Sequence, residues 1–354
     1  MKKLLILIPA VALLLSSCGG GGKTEEVKEI SGAGATFPYP LYSKMFSEYN
    51  TKTSIKVNYQ SIGSGGGVKQ IFEKTVDFGA SDAFLSDKEL KDAKADMIDL
   101  PTCIGGDVLT YNLAGNPKLK LTPEIIGGIF AGSIKKWNDP RIMAENAGAA
   151  LPDKDIMVVH RSDGSGTTFL FTDYLTRVST EFAAKVPKPG KTVDWPVGVG
   201  GKGNEGVSGQ IKSTEGAIGY VELIYAQQNN MPVADVKNSS GKFITPTLET
   251  ISASGNGDIP ADTRIAICNS NNPDAYPISS FTWLLIYKEQ KYGDRTEAKA
   301  KAVVDMMWWM IHDAQQYNEA LLYGKLPPKA LAAAEALLKS VTYDGKPLMT
   351  DSSK

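Results

Sequence analysis

Short apolar and β-branched runs alternate with longer amphipathic stretches along this chain, an order that fits strands wound with helices and little else. Runs of strand character fall at Ser54–Tyr59, Val76–Ala80, Asp107–Tyr111, Ile156–His160, Ala217–Val221, Arg264–Ile267 and Thr282–Tyr287. Helical patterns lie between several of them, at Tyr39–Tyr49, Gly67–Lys74, Thr122–Phe130, Thr167–Val178 and Ala298–Tyr317. Pro327-Pro328 starts another over Lys329–Leu338. The expected fold class is therefore α/β, with mostly parallel or mixed sheets. Gly-, Pro- and Asn-rich stretches at Lys185–Gly209 and Ser252–Pro260 read as loops, and no repeat of fixed period is present. At 354 residues the chain exceeds the roughly 250–300 at which a single core stops growing, so two lobes are expected. The pair Trp308-Trp309, with Met306, Met307 and Met310, sits at helical spacing and reads as core packing.

The first residues read as an address. Met1-Lys2-Lys3 precedes an apolar run from Leu4 to Leu15, too short for the roughly 20 residues that span a bilayer but suited to a secretory signal. The run ends Leu15-Ser16-Ser17-Cys18-Gly19, which resembles a bacterial lipobox. Residues 1–17 are accordingly expected to be a lipoprotein signal peptide, with Cys18 lipidated and residues 18–29 a flexible tether through Gly19-Gly20-Gly21-Gly22. Two acyl chains anchor stably where one does not, so the mature protein is expected outside the cytoplasm, tethered to a bacterial membrane. Cys103 and Cys268 remain; export permits a disulfide between them, and two buried free thiols is the equal alternative.

Three loops of one physical kind carry the functional signal. Gly32-Ala33-Gly34-Ala35-Thr36-Phe37-Pro38 runs into the first helical pattern, and Ser61-Ile62-Gly63-Ser64-Gly65-Gly66-Gly67 into the second. Arg161-Ser162-Asp163-Gly164-Ser165-Gly166-Thr167-Thr168 runs into the pattern ending at Val178. A helix start presents unpaired N–H groups and the positive end of the macrodipole, which suits an oxyanion. Glycine lets the backbone approach closely, and Ser or Thr adds a directed donor. A single Ser or Thr at such a position is usually a helix cap; three such loops, one with an arginine, would surround a tetrahedral anion with dipoles and a guanidinium. Such a site needs no surplus of charge, in keeping with a formal net charge of -1. That balance also offers no basic face for nucleic acid.

Other chemistries fit less well. No Gly-x₄-Gly-Lys-Ser/Thr motif occurs; Gly198-Val199-Gly200-Gly201-Lys202-Gly203 lacks both the first glycine offset and the hydroxyl after the lysine. No Gly-x-Ser-x-Gly elbow occurs either. With only two histidines, His160 and His312, a multi-histidine metal centre is excluded. A His160–Ser165 catalytic pair is disfavoured, because Arg161 opposes a protonated neighbour and strand alternation turns adjacent residues apart. Asp82, at the end of Asp77-Phe78-Gly79-Ala80-Ser81-Asp82, is either a cap for the stretch Ser86–Lys94 or something sharper. An ionised carboxylate only accepts, so inside an anion site it selects an anion that still carries a proton. Hydrogen phosphate does; sulfate does not. Asp163 stands two residues from Arg161 and is placed to orient its guanidinium.

Taken together these segments resemble the substrate-binding proteins of bacterial phosphate ABC importers. The resemblance also runs through Gly63 to Ile71, Val76 to Asp82, Ile134-Lys135-Lys136-Trp137-Asn138-Asp139, Gly200 to Asn204, Ala217-Ile218-Gly219-Tyr220-Val221-Glu222 and Tyr276-Pro277-Ile278, in family order over nearly the whole mature chain. It implies a two-lobed periplasmic-binding-protein fold (type II) with the ligand in the interlobe cleft. One lobe would take residues 30–104 plus 283–354 and the other 105–282, with two hinge crossovers at Cys103–Gly106 and Ser279–Trp283. It implies inorganic phosphate as ligand, with no cofactor, no metal and no catalysis. Thr36 would give its hydroxyl and amide, Phe37 its amide and Ser64 its hydroxyl. Asp82 would accept the phosphate proton, and Arg161 would make the charged contact. Ser165, Gly166 and Thr167 would complete the cage, with Asp163 holding Arg161. The implied partners are a phosphate ABC permease and its ATPase, the membrane through Cys18, and no nucleic acid, with a monomer expected. Receptors for sulfate, molybdate or tungstate are the alternative in the same class; a phosphatase using Ser165 lacks a convincing base or metal cluster.

Overall fold

The computed structural model describes residues 26–349. The expected signal peptide, Cys18 and most of the tether lie outside the described residues. Eight strands form one sheet, in the order Lys56–Ser61, Glu29–Gly34, Phe78–Ser81, Ser279–Tyr287, Met97–Tyr111, Ala217–Glu222, Met157–Arg161 and Val199–Gly201. The first three run parallel, as do the last three. The two strands between are antiparallel to each other and to their outer neighbours.

Met97–Tyr111 joins the two halves of the sheet. Met97 to Gly106 pairs with Ser279–Tyr287, and Asp107 to Tyr111 pairs with Ala217–Glu222. The sequence marks only Asp107–Tyr111 as strand, because Pro101 and Gly105-Gly106 read as breakers. The ladder accommodates the proline by slipping register: Trp283 pairs with Pro101 while Thr282 pairs with Cys103. A bulge tolerates a residue without an N–H where a regular central ladder would not.

Helices cover the sheet with the faces their periodicity implies. Tyr39–Thr53 buries Leu41, Tyr42, Met45, Phe46 and Tyr49, a stripe at 3.6-residue spacing. Tyr42 and Phe46 pack on Tyr59, and Phe46 also on Phe78, binding that helix to two parallel strands. The C-terminal helical pattern is shorter than its sequence suggests. It runs Glu297–Ile311, breaks at His312 (φ -118°, ψ -97°) and continues as a single tight turn, Asp313–Tyr317. Met306, Met307, Trp309 and Met310 are buried, so this stripe is core, with Trp308 half-buried and stacked on His312.

Arg264–Ile267 is not a strand. Thr263 takes a left-handed φ of 57° and donates its hydroxyl to the Asp99 carbonyl, while Arg264 turns outward to Leu85, Asp87 and Asp262. These side-chain anchors replace the ladder that β-branched composition alone predicts. Cys103 and Cys268 are buried free thiols, and the Cys268 thiol lies 2.9 Å from Asp173 Oδ2. Among the described residues no helix is long and apolar enough to cross a membrane.

Candidate functional site

Four helix starts meet at one place, and each follows the carboxyl end of a parallel strand, where open α/β sheets bind ligands. The helices are Tyr39–Thr53, Ser64–Phe72, Gly166–Val178 and Gly203–Ser213. Hydrogen bonds join them across the two halves of the sheet. Gly65 N donates to the Gly164 carbonyl at 2.8 Å, Gly166 N to Ser64 Oγ at 3.0 Å, and Asn204 Nδ2 to Thr36 Oγ1 at 2.8 Å. Three of the four starts have no side-chain cap of their own, and several of their first N–H groups bond instead across the site, Gly65 N to Gly164, Gly203 N to Asp163 and Asn204 N to Thr36. The fourth is capped by Ser165, whose hydroxyl accepts from Thr168 N at 3.0 Å and keeps its own proton to give.

Two glycines are required for the approach. A Cβ on Gly166 would stand 2.5 Å from Ser64 Oγ and 2.6 Å from Asp82. Gly203 has φ +70°, and a Cβ there would meet the Glu205 carboxylate at 2.4 Å. Side chains at either position would hold the halves apart or strain the backbone.

Thr36, Ser64, Asp82, Arg161, Ser165 and Thr167, all read from the sequence as site residues, are buried together with the Phe37 ring. The Arg161 guanidinium donates from Nε to Asp163 Oδ1 at 2.8 Å, from Nη2 to Asp163 Oδ2, and from Nη1 to Thr167 Oγ1 at 3.1 Å. Asp163 thus fixes the guanidinium plane, and it also accepts from Gly203 N at 3.0 Å. Burial works to raise the Asp163 carboxyl, yet the hydrogen bonds and charge of Arg161 hold it below the usual range. Phe37 is held by its carbonyl, which accepts from Tyr323 OH at 2.6 Å. His160 stacks on Trp195 with its Nδ1 3.0 Å from the Arg161 carbonyl, and no hydrogen bond joins it to Ser165, so no His–Ser pair forms.

Asp82 has the unusual environment. Its side chain is buried beside Ser64, and Thr282 Oγ1 donates to Oδ1 at 2.8 Å. Burial lifts its pKa to about 7 against the pull of Thr282, Arg161, Ser64 and Lys191. A carboxyl poised between its two forms near neutral pH both accepts and gives a proton. Behind it, Asp107 and Glu222 face each other across neighbouring strands, fully buried, and burial raises both well above the carboxylate range. Among the described residues no three His, Cys, Asp or Glu side chains gather as a metal group would require.

Sequence reasoning missed three contributors. Asn204 binds Thr36 and Thr167 through Nδ2 and accepts from Glu222 N at 2.9 Å, so one amide ties three segments. Its signal was a fourth glycine run before a helix, Gly200 to Gly203, set aside as a failed nucleotide motif. Tyr225 OH donates to the Thr36 carbonyl at 2.6 Å, and Thr282 reaches Asp82 from beside the bulge. Neither carries a local sequence signal.

This geometry has counterparts among known proteins. A family model described as a PBP superfamily domain matches residues 20–308. The phosphate-binding protein PstS of Xylella fastidiosa is 44% identical over 319 residues, covering 89% of this chain and 85% of its own. The chain belongs to the PstS phosphate-binding protein family. The PstS protein of Pasteurella multocida is 42% identical over 334 residues, covering 92% of this chain and 94% of that one. The structure of PfluDING, a high-affinity periplasmic phosphate-binding protein bound with phosphate, superposes with a TM-score of 0.68 at 23% identity, covering 87% of this chain and 93% of its own. The fold class is therefore the two-lobed periplasmic-binding architecture, and the expectation of an α/β protein of this kind holds.

Proposed function

We propose that the protein binds inorganic phosphate outside the cytoplasm and delivers it to an ABC permease and its ATPase for import. The observation that carries this reading is a buried Asp82 packed against Ser64 and Gly166, where Arg161 and four helix starts converge. An ionised carboxyl there opposes a fully deprotonated anion, whereas a phosphate oxygen can share one proton with it. The anion takes its charged contact from Arg161, held by Asp163. Thr36, Phe37, Ser64, Ser165, Gly166 and Thr167 donate to the remaining oxygens from hydroxyls and backbone amides, and Asn204 orients the two threonines.

Two lobes, residues 30–104 with 283–354 and residues 105–282, close on the ligand about Cys103–Gly106 and Ser279–Trp283. The change of partner at Asp107 along one strand supports that division. The Gly65–Gly164 hydrogen bond belongs to the closed form and breaks on opening, while the Gly166 N–H, which donates to Ser64 Oγ, turns to the anion when it binds. The receptor is a non-enzymatic monomer, exported and held at the membrane through lipid on Cys18. Calorimetric titration of purified, ligand-stripped protein with phosphate and then sulfate at neutral pH tests the function. One-to-one phosphate binding with no sulfate heat is expected. Equal binding of both anions would point to a general oxyanion receptor, and binding of neither would end the reading.

A further inference from the structure

One ion pair crosses the mouth of this site without belonging to it. Lys191 lies in the loop between the helices Thr180–Lys185 and Gly203–Ser213, and Glu89 in the helix Asp87–Ala93 of the other half. Lys191 Nζ stands 2.6 Å from Glu89 Oε1, with side chains 16% and 26% exposed. Each partner is already fixed by a second role. The Lys191 carbonyl accepts from Ser165 N at 2.8 Å, so its backbone is part of the scaffold of the Ser165 loop. Glu89 closes a capping box with Ser86, its Oε2 accepting from Ser86 N at 2.9 Å and from Ser86 Oγ at 2.8 Å. One carboxylate thus finishes a helix start with one oxygen and reaches across the cleft with the other. The carboxylate of such a pair loses little side-chain freedom on forming, a loss that usually cancels the gain of a surface ion pair.

Of the other polar contacts named between the halves, Gly166 with Ser64, and Asn204 and Tyr225 with Thr36, involve residues of the ligand cage; Gly65 with Gly164 joins backbone to backbone, and Arg264 with Asp87 is a second, more exposed ion pair. The side chains of the Lys191–Glu89 pair hydrogen-bond to none of the cage groups, although the Lys191 carbonyl holds Ser165 N and its charge helps lower the Asp82 carboxyl. Burial works to raise the Glu89 carboxyl, and Lys191 and Ser86 hold it below its ordinary range. We propose that Lys191 and Glu89 are a positioning pair that latches the closed form and sets how long bound phosphate is retained. The inference rests on the phosphate reading above. It assigns the pair to release rather than to recognition, because the charges meet only when the halves are together.

The test is the release of radiolabelled phosphate from purified protein, chased with unlabelled phosphate, for wild type, Lys191→Met, Glu89→Gln and the double variant. Each single variant is expected to release phosphate about five-fold faster, the scale of one well-held, partly buried ion pair. Association should change less than about two-fold, since the pair forms after encounter. The double variant should be no faster than the faster single one. That cycle also cancels the loss of the cap in Glu89→Gln, which is present with or without Lys191. Sodium chloride at about 0.5 M should speed release from wild type and leave Lys191→Met unchanged. Release rates that multiply in the double variant, or single variants that release like wild type, would overturn the latch while leaving phosphate binding intact. Wild type that retains no phosphate at all would overturn both readings, and would do so before any variant is made.

Discussion

Replacing Asp82 with asparagine separates a proton-reading site from a general anion cage. Sulfate brings no proton at neutral pH, so it fits only when Asp82 itself is protonated and can donate. With the carboxyl at about 7, roughly nine-tenths of sites are protonated at pH 6 and roughly one-tenth at pH 8. Wild-type sulfate affinity, weak throughout, is therefore expected to fall about ten-fold between those values. Phosphate carries its own proton and falls much less. In Asp82→Asn the side-chain amide donates at every pH, so sulfate affinity rises and becomes flat across the same range. Phosphate loses a hydrogen bond to a charged group, worth about 1.5–3 kcal/mol, or roughly ten- to a hundred-fold in affinity. The assay is competition against labelled phosphate at pH 6, 7 and 8 for both proteins. A flat sulfate profile in wild type, or an asparagine variant that still rejects sulfate as strongly, would refute the reasoning.

Three further outcomes follow from particular contacts. Thr282→Val removes the hydroxyl that stabilises ionised Asp82; its carboxyl should rise further, moving the sulfate transition to higher pH in the same competition assay. Asn204→Ala breaks the amide that joins Thr36, Thr167 and Glu222 N, and calorimetry should show phosphate affinity falling about ten-fold. Burial raises both the Cys103 and Cys268 thiols, so both should be inert to Ellman's reagent in the native protein and react after unfolding without reductant; a disulfide would leave them silent in both states.

The parts of this site legible in the sequence are those whose chemistry is local. A helix start with glycine and a hydroxyl announces itself within eight residues, which is why Thr36, Ser64 and the Arg161–Thr167 loop could be read directly. Asp82 was legible because a carboxylate is conspicuous in an anion site. Contacts made by distant segments were not. Thr282 faces Asp82 because the antiparallel pairing of Trp283 with Ser81 continues one residue further, and no window around either residue contains the other strand. Asn204 was hidden for a different reason: its glycines matched a nucleotide loop imperfectly, and failing that comparison obscured the fourth helix start they make. The strand Met97–Tyr111 was half visible for the same kind of cause, since its proline and paired glycines, breakers in an isolated strand, are tolerated where the ladder to Ser279–Tyr287 bulges. Arg264–Ile267 erred in the opposite sense, where β-branched composition was overridden by side-chain anchors to Asp99, Asp87 and Leu85.

The central claim is that a phosphate oxygen shares its proton with Asp82 while Arg161 and the helix starts hold the rest of the anion. A crystal structure of the protein grown with phosphate and without sulfate tests it directly. The account predicts one phosphate between the halves, with an oxygen within about 2.7 Å of an Asp82 carboxylate oxygen and others within about 3.1 Å of Arg161 and the amides at Phe37 and Gly166. A phosphate that binds elsewhere, or that binds here with water between it and Asp82, would contradict it.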